Sequence, residues 1–126
     1  MSQMSIAMLK AERGVVYVAT PYSQYHAGID RAAKVAARAA AALMKMGVKV
    51  FSPIAHSHAI ALAGGIDPKD WSFWKPQNEA AIDAASALAV VQVRGWDESV
   101  GVAYEIKRFT DAGKKVVYIE PGEVGL

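Results

Sequence analysis

Continuous apolar runs alternate along this chain with longer stretches in which apolar and small residues recur every three or four positions. The first run, Gly14-Val-Val-Tyr-Val-Ala-Thr20, shows no polar alternation, the mark of a strand covered on both faces. Pro21 stops it, and Pro21 to Ile29 reads as a loop. Asp30 begins or caps an alanine-rich helix that runs to about Met46, with Lys34, Arg38 and Lys45 marking its outer face and Gly47 as its stop. Val48–Ser52 predicts a second strand. Ser52 and Pro53 are the residue types of a helix cap and first turn, and they open a short helix or turn through Leu62 that Gly64-Gly65 breaks. Residues 66–76 predict an aromatic loop, 78–87 a third helix and 87–93 a third strand. A fourth helix follows from Ser99 to Ala112, and a last strand from Lys114 to Glu120.

This alternation predicts an α/β fold: a single-domain, doubly wound parallel sheet of four to five strands, flavodoxin- or Rossmann-like, with helices on both faces. The domain covers residues 14–126. Residues 1–13 read as a weakly ordered extension with at most a short helical turn, and without the basic start, apolar middle and small-residue cleavage site of a signal peptide. In sheets of this kind ligands bind at the carboxyl ends of the strands. That edge gathers the loops at 20–26, 53–58 and 94–101.

Composition narrows the field. The 126 residues are 53% hydrophobic and 21% charged, which suits a full core rather than disorder. Fourteen basic against twelve acidic residues leave a net charge of +2, too balanced to argue for a nucleic-acid partner. No apolar run approaches the ~20 residues of a membrane span. The absence of cysteine removes disulfides, thiolate metal sites and a cysteine nucleophile, and fits a reducing cytoplasm.

The polar chemistry concentrates around Gly95-Trp-Asp-Glu-Ser-Val-Gly-Val-Ala-Tyr-Glu105. A buried strand, a polar loop and a helix N-terminus make a pocket suited to an anion. Gly101 lies one helical turn before Glu105, so a ligand could pass the bare glycine and reach the acid. Glu105 is otherwise an ordinary helical glutamate, in solvent or paired with Arg108. Ser99 caps the helix, donates to a phosphate, or does both, while Asp97 and Glu98 would repel an anion unless turned away. Tyr17 is a core tyrosine, or one whose hydroxyl orients Glu105. Thr20, Tyr22, Ser23 and Tyr25 are candidate ligand contacts in or beside the first loop. His56 and His58 form a His-x-His pair that holds a metal only if the backbone is extended, since a helix splays them. A structural role or a hydrogen bond near the substrate is the simpler assignment, so no metal site is assigned. Trp71, Phe73 and Trp74 serve as stacking platforms for a base, as loop anchors, or as a subunit interface.

Assembled in this order, the residues resemble the nucleoside 2-deoxyribosyltransferase superfamily over roughly residues 14–120. Ser99-Val-Gly-Val-Ala-Tyr-Glu105 is similar to the Ser-Leu-Gly-Val-Gly-Tyr-Glu motif of its deoxynucleoside 5′-monophosphate N-glycosidase branch. Val16-Tyr-Val-Ala-Thr20 resembles the family's opening strand. Phe51-Ser-Pro-Ile-Ala-His-Ser-His58 and Gly95-Trp-Asp-Glu-Ser99 resemble an uncharacterised bacterial and phage subgroup. The resemblance implies that Glu105 attacks the anomeric carbon of a nucleoside or nucleotide, that Tyr17 positions it, and that Ser99 binds a 5′-phosphate. Water or a second base then resolves the glycosyl-enzyme. It implies no metal or organic cofactor, a small-molecule nucleoside or nucleotide as partner, and a homodimer or larger assembly. Two positions depart from the pattern. Asn78 stands where the family carries an acid that assists the leaving base, and an amide gives no proton. The loop Thr20-Pro-Tyr-Ser-Gln-Tyr-His26 lacks the arginine and glycines of the monophosphate branch. A nucleotide-binding module of the same fold, without catalysis, is the alternative that Asn78 raises.

Overall fold

The structure is a computed structural model, and it describes residues 2–126. The strands are β1 (Val16–Ala19), β2 (Val50–Phe51), β3 (Ala87–Val91) and β4 (Lys115–Ile119). The helices are α1 (Ser2–Lys10), α2 (Ile29–Lys45), α3 (Pro53–Gly64), α4 (Trp71–Ala84) and α5 (Val100–Asp111). Among the described residues the four strands form one parallel sheet in the order β2-β1-β3-β4. From β1 the chain moves outward to β2, and from β3 it moves outward the other way to β4. A crevice therefore opens at the carboxyl ends of β1 and β3.

Strand parity divides the core in two. Val16, Val18, Ala87, Ala89, Val91, Val117 and Ile119 point to one face, where Val35, Ala39 and Leu43 of α2 cover them. Tyr17, Ala19, Leu88 and Val90 point to the other, against Ile82 of α4 and Val102 and Phe109 of α5. Every residue of β1 and β3 is buried, as their unbroken apolar character predicts. The alanines of α2 at 32, 33, 36, 39 and 40 are all buried, so their small size lets the helix lie close on its neighbours. Because Tyr17 faces the α4–α5 side, its ring comes to rest beside that of Phe109, at 5.6 Å between centroids.

Two stretches differ from the sequence reading. The expected weakly ordered extension is a helix over Ser2–Lys10, while Met1 lies outside the described residues. Leu9 is 1% exposed in the core, Ile6 packs beside it, and Glu12 pairs with Lys115 of β4 at 3.0 Å. Tertiary packing supplies the order that the short segment could not supply alone. The expected aromatic loop at 66–76 is a loop only to Asp70, and α4 begins at Trp71 with Pro76 inside it. Pro76 cannot donate to the carbonyl one turn back, yet the helix holds. Trp74 fixes that turn, being 8% exposed with its indole N–H donating to the Asp67 carbonyl at 3.0 Å.

Candidate active site

A cavity of about 420 Å³ occupies the crevice. The end of β1 and its loop contribute Tyr17, Thr20, Tyr22 and Ser23 to its wall. The start of α3 contributes Pro53, Ile54 and Ser57. The α4 side contributes Lys69, Trp71, Trp74 and Asn78, and the first two turns of α5 contribute Ser99, Gly101, Tyr104 and Glu105. The three loops expected at this edge are thus joined by a fourth wall, α4, which the sequence reading had placed partly in a loop.

Local sequence explains how these side chains are held. Ser99 caps α5, its hydroxyl oxygen accepting the Val102 N–H at 3.2 Å. Its own O–H remains available to a ligand. Asp97 and Glu98 lie in a 3₁₀ turn, exposed and off the cavity wall, so neither opposes an anion there. A Cβ added at Gly101 would meet only the Ser99 hydroxyl, at 3.8 Å. Packing within the fold does not demand glycine here, so its effect is to keep the wall open one turn before Glu105. Ser52 caps α3 in the same manner, accepting the Ala55 N–H at 3.2 Å.

Glu105 is half-buried and reaches the cavity. It has no cationic partner among the described residues. Arg108 pairs instead with Glu79 at 2.6 Å and Asp83 at 2.9 Å, clamping α5 to α4. Burial pushes the Glu105 carboxyl up to about 8, opposed by the nearby Tyr17 hydroxyl, which favours the ionised form. The Tyr17 phenol is held well above its ordinary range by burial and by that same carboxyl. Its hydroxyl is buried and completes no hydrogen bond of normal geometry. The two groups are neighbours at the cavity wall, each acting on the other's protonation. The Thr20 hydroxyl, also on the wall, is a second buried polar atom with no protein partner. The protein itself thus leaves two hydroxyls unmatched at this end of the cavity.

Of the sequence candidates, Glu105, Tyr17, Asn78, Ser99, Gly101, Thr20 and Ser23 share this cavity. His56 and His58 do not line it, a correction to their assignment as substrate contacts. Both sit on α3, where positions two apart diverge. His56 turns to the ring of Phe51 at 5.2 Å, and His58 lies behind Tyr22. The aromatic trio also divides. Trp71 lines the cavity edge-on to Tyr104, Trp74 is an anchor that also reaches the wall, and Phe73 packs on Trp74 away from the cavity. Glu79 bonds to the Tyr104 hydroxyl and to Arg108, so of the two neighbours it is Asn78 and not Glu79 that lines the cavity. Sequence reasoning missed Tyr104, Ser57 and Lys69. Lys69, exposed at the rim, is the one basic side chain lining the cavity among the described residues, and the Asp-Pro-Lys-Asp turn at 67–70 was its only signal. No group of three or more metal-ligating side chains occurs among the described residues. No helix among them is long and apolar enough to cross a membrane.

Fold and site together define a parallel α/β protein of Rossmann-like architecture, with one acid-bearing cavity at its switch point. The family described as a domain of unknown function, DUF1937, matches residues 14–121, and the chain belongs to that family. No curated protein matches the chain.

Proposed function

We propose that this protein cleaves the N-glycosidic bond of a nucleoside 5′-monophosphate or nucleoside, the deoxyribose form above all, through a covalent glycosyl-Glu105 intermediate. The observation that carries this reading is one half-buried carboxyl, with no cationic partner among the described residues, in a cavity of nucleotide size with the Tyr17 hydroxyl beside it. The Glu105 carboxylate attacks the anomeric carbon as the base departs, through a transition state with oxocarbenium character. A hydrogen bond from Tyr17 stabilises the charged carboxylate that attack requires. Water, or a second base, then displaces Glu105.

The α5 N-terminus, the Ser99 O–H and the Lys69 ammonium suit a phosphate, which favours the 5′-monophosphate over the free nucleoside. Trp71, Ile54 and Val100 offer apolar surface for a base, and the Asn78 amide can hydrogen-bond its edge. The cysteine-free chain suits a cytoplasmic setting. A homodimer or larger assembly accompanies the family resemblance.

The test is base release from a panel of nucleosides and 5′-monophosphates, followed by chromatography. Wild type is expected to release base, and Glu105→Ala to lose that activity by several orders of magnitude with an unchanged circular dichroism spectrum. Equal release by the two proteins refutes the assignment. Asn78 favours a second reading, a nucleotide-binding module without turnover. That reading predicts binding by calorimetry and no free base on long incubation.

A further inference from the structure

Base departure needs a proton, and Asn78 cannot give one. Most other titratable groups on the cavity wall are committed. Glu105 is the nucleophile in the reading above. The Tyr17 phenol is buried against it. The Tyr104 hydroxyl donates to Glu79 and accepts from Arg108 at 3.0 Å. Lys69 is an exposed cation at the rim. There remains Tyr22, and a chain of hydrogen bonds stands behind it.

Three elements supply that chain: the loop after β1, the first turn of α2, and α3. The Tyr22 hydroxyl lies 2.7 Å from Nδ1 of His58, and Nε2 of His58 lies 3.1 Å from Oδ1 of Asp30. The His58 side chain is 11% exposed and that of Asp30 85%, so the chain runs from solvent to the cavity wall. The Asp30 carboxylate only accepts, which fixes a proton on Nε2. Neutral His58 therefore accepts the Tyr22 O–H at Nδ1, and Tyr22 turns a lone pair to the cavity. Protonated His58 donates from both nitrogens, and the Tyr22 hydrogen is then free to point at a ligand.

We propose that Asp30, His58 and Tyr22 form a proton relay and that Tyr22 is the general acid for the departing base, an inference that rests on the glycosidic reading. As the C1′–N bond breaks, its electron pair leaves with the base. The Tyr22 proton passes to the base, and the Nδ1 proton of the His58 imidazolium passes to the Tyr22 oxygen. A Glu105 lone pair forms the new bond to C1′. In the second half water attacks C1′, the ester bond breaks back to the Glu105 carboxylate, and the proton of water returns through Tyr22 to His58. The sum is nucleotide plus water to base plus sugar phosphate, with no other reactant. Tyr22 touches the reacting atoms, whereas His58 and Asp30 are positioning residues acting through it.

Leaving-group dependence tests this. The best nucleotide from the panel is compared with p-nitrophenyl 2-deoxyriboside 5-phosphate, whose phenolate leaves without a proton. In single turnover, which precedes the water step, Tyr22→Phe is expected to slow base release by about 10²-fold or more and to leave the nitrophenolate burst unchanged. His58→Gln, a second variant against a folding defect in the first, is expected to show the same split. Glu105→Ala loses both reactions. If wild type releases nitrophenolate and base, and Tyr22→Phe slows both first-turnover releases alike or neither, the relay is overturned while the glycosidic reading stands. If wild type releases neither product, the glycosidic reading falls and the acid role falls with it.

Discussion

Replacing Glu105 with glutamine should make the protein more stable in mildly alkaline solution. The isolated carboxyl titrates at 4.5 and burial in the fold pushes it up to about 8. Between those two values the unfolded chain has released a proton that the folded chain still holds. Folded stability therefore falls as pH rises through this window and is level above it. Each pH unit inside the window costs about 1.4 kcal/mol, so the full penalty approaches about 5 kcal/mol. Relaxation of the cavity lowers this, and a difference on the order of 2–4 kcal/mol is expected above pH 8. For a chain of this size that is roughly 10 °C in Tm. Glutamine has no proton to lose and keeps the shape. Glu12 and Glu79 are held below the ordinary carboxylate range, first by their hydrogen bonds from Lys115 and Tyr104, so their contributions change on the acid side of the window. They are common to both proteins and cancel in the difference. Urea unfolding followed by far-ultraviolet circular dichroism, at intervals from pH 5 to pH 9, measures it. Wild type and Glu105→Gln should differ little in slope near pH 4.5 and separate steadily to pH 8. Parallel curves across the whole range would refute the claim that this carboxyl is desolvated, and with it the main support for a nucleophile at this position.

Two further substitutions probe the scaffold around the cavity. Ser99→Ala removes the acceptor for the Val102 N–H and should lower stability by about 1 kcal/mol in chemical unfolding. On the proposed function it should also raise KM for a 5′-monophosphate more than for the corresponding nucleoside, and an equal rise for both would remove Ser99 from the proposed phosphate site. Leu9→Ala leaves a hole beneath α1 and should cost about 3 kcal/mol, whereas an extension outside the core would register no change.

The sheet was legible because β1 and β3 are apolar at every position, which few other local structures tolerate, and because loops and caps punctuate the chain between them. The acid was legible only in part: a strand, a polar loop and a capped helix put Glu105 one turn past Gly101, but spacing left open a glutamate in solvent or paired with Arg108, and it is the fold that brings Glu105 to the cavity and Arg108 to Glu79. What lay beyond reach depends on contacts distant in sequence. The α1 segment carries Met4, Ile6, Met8 and Leu9, yet Ile6 and Leu9 pack inward while Met4 and Met8 are exposed. Only β4, over a hundred residues away, shows which side is inside. Pro76 argues locally against a helix, and the indole of Trp74 overrules it. His56 and His58 look equivalent in the sequence. Their divergence follows from the local helix, but the meeting of His58 with Asp30 and Tyr22 across separations of 28 and 36 residues is a property of the fold alone.

Proton number ties Glu105 to the proposed relay. A site in which Glu105 holds a proton and His58 is neutral carries the same charge as one in which Glu105 is ionised and His58 is protonated. The two are tautomers, related by moving one proton across the cavity. Only the second can attack a sugar carbon and protonate a base together. Burial of the Glu105 carboxyl favours its protonated form, and a hydrogen bond from the Tyr17 hydroxyl favours its ionised form. The two tautomers give the same bell-shaped dependence of rate on pH, because protons bound to an interacting pair are counted together. Leaving-group dependence separates them, since a departing phenolate needs the ionised Glu105 and makes no use of the proton at Tyr22.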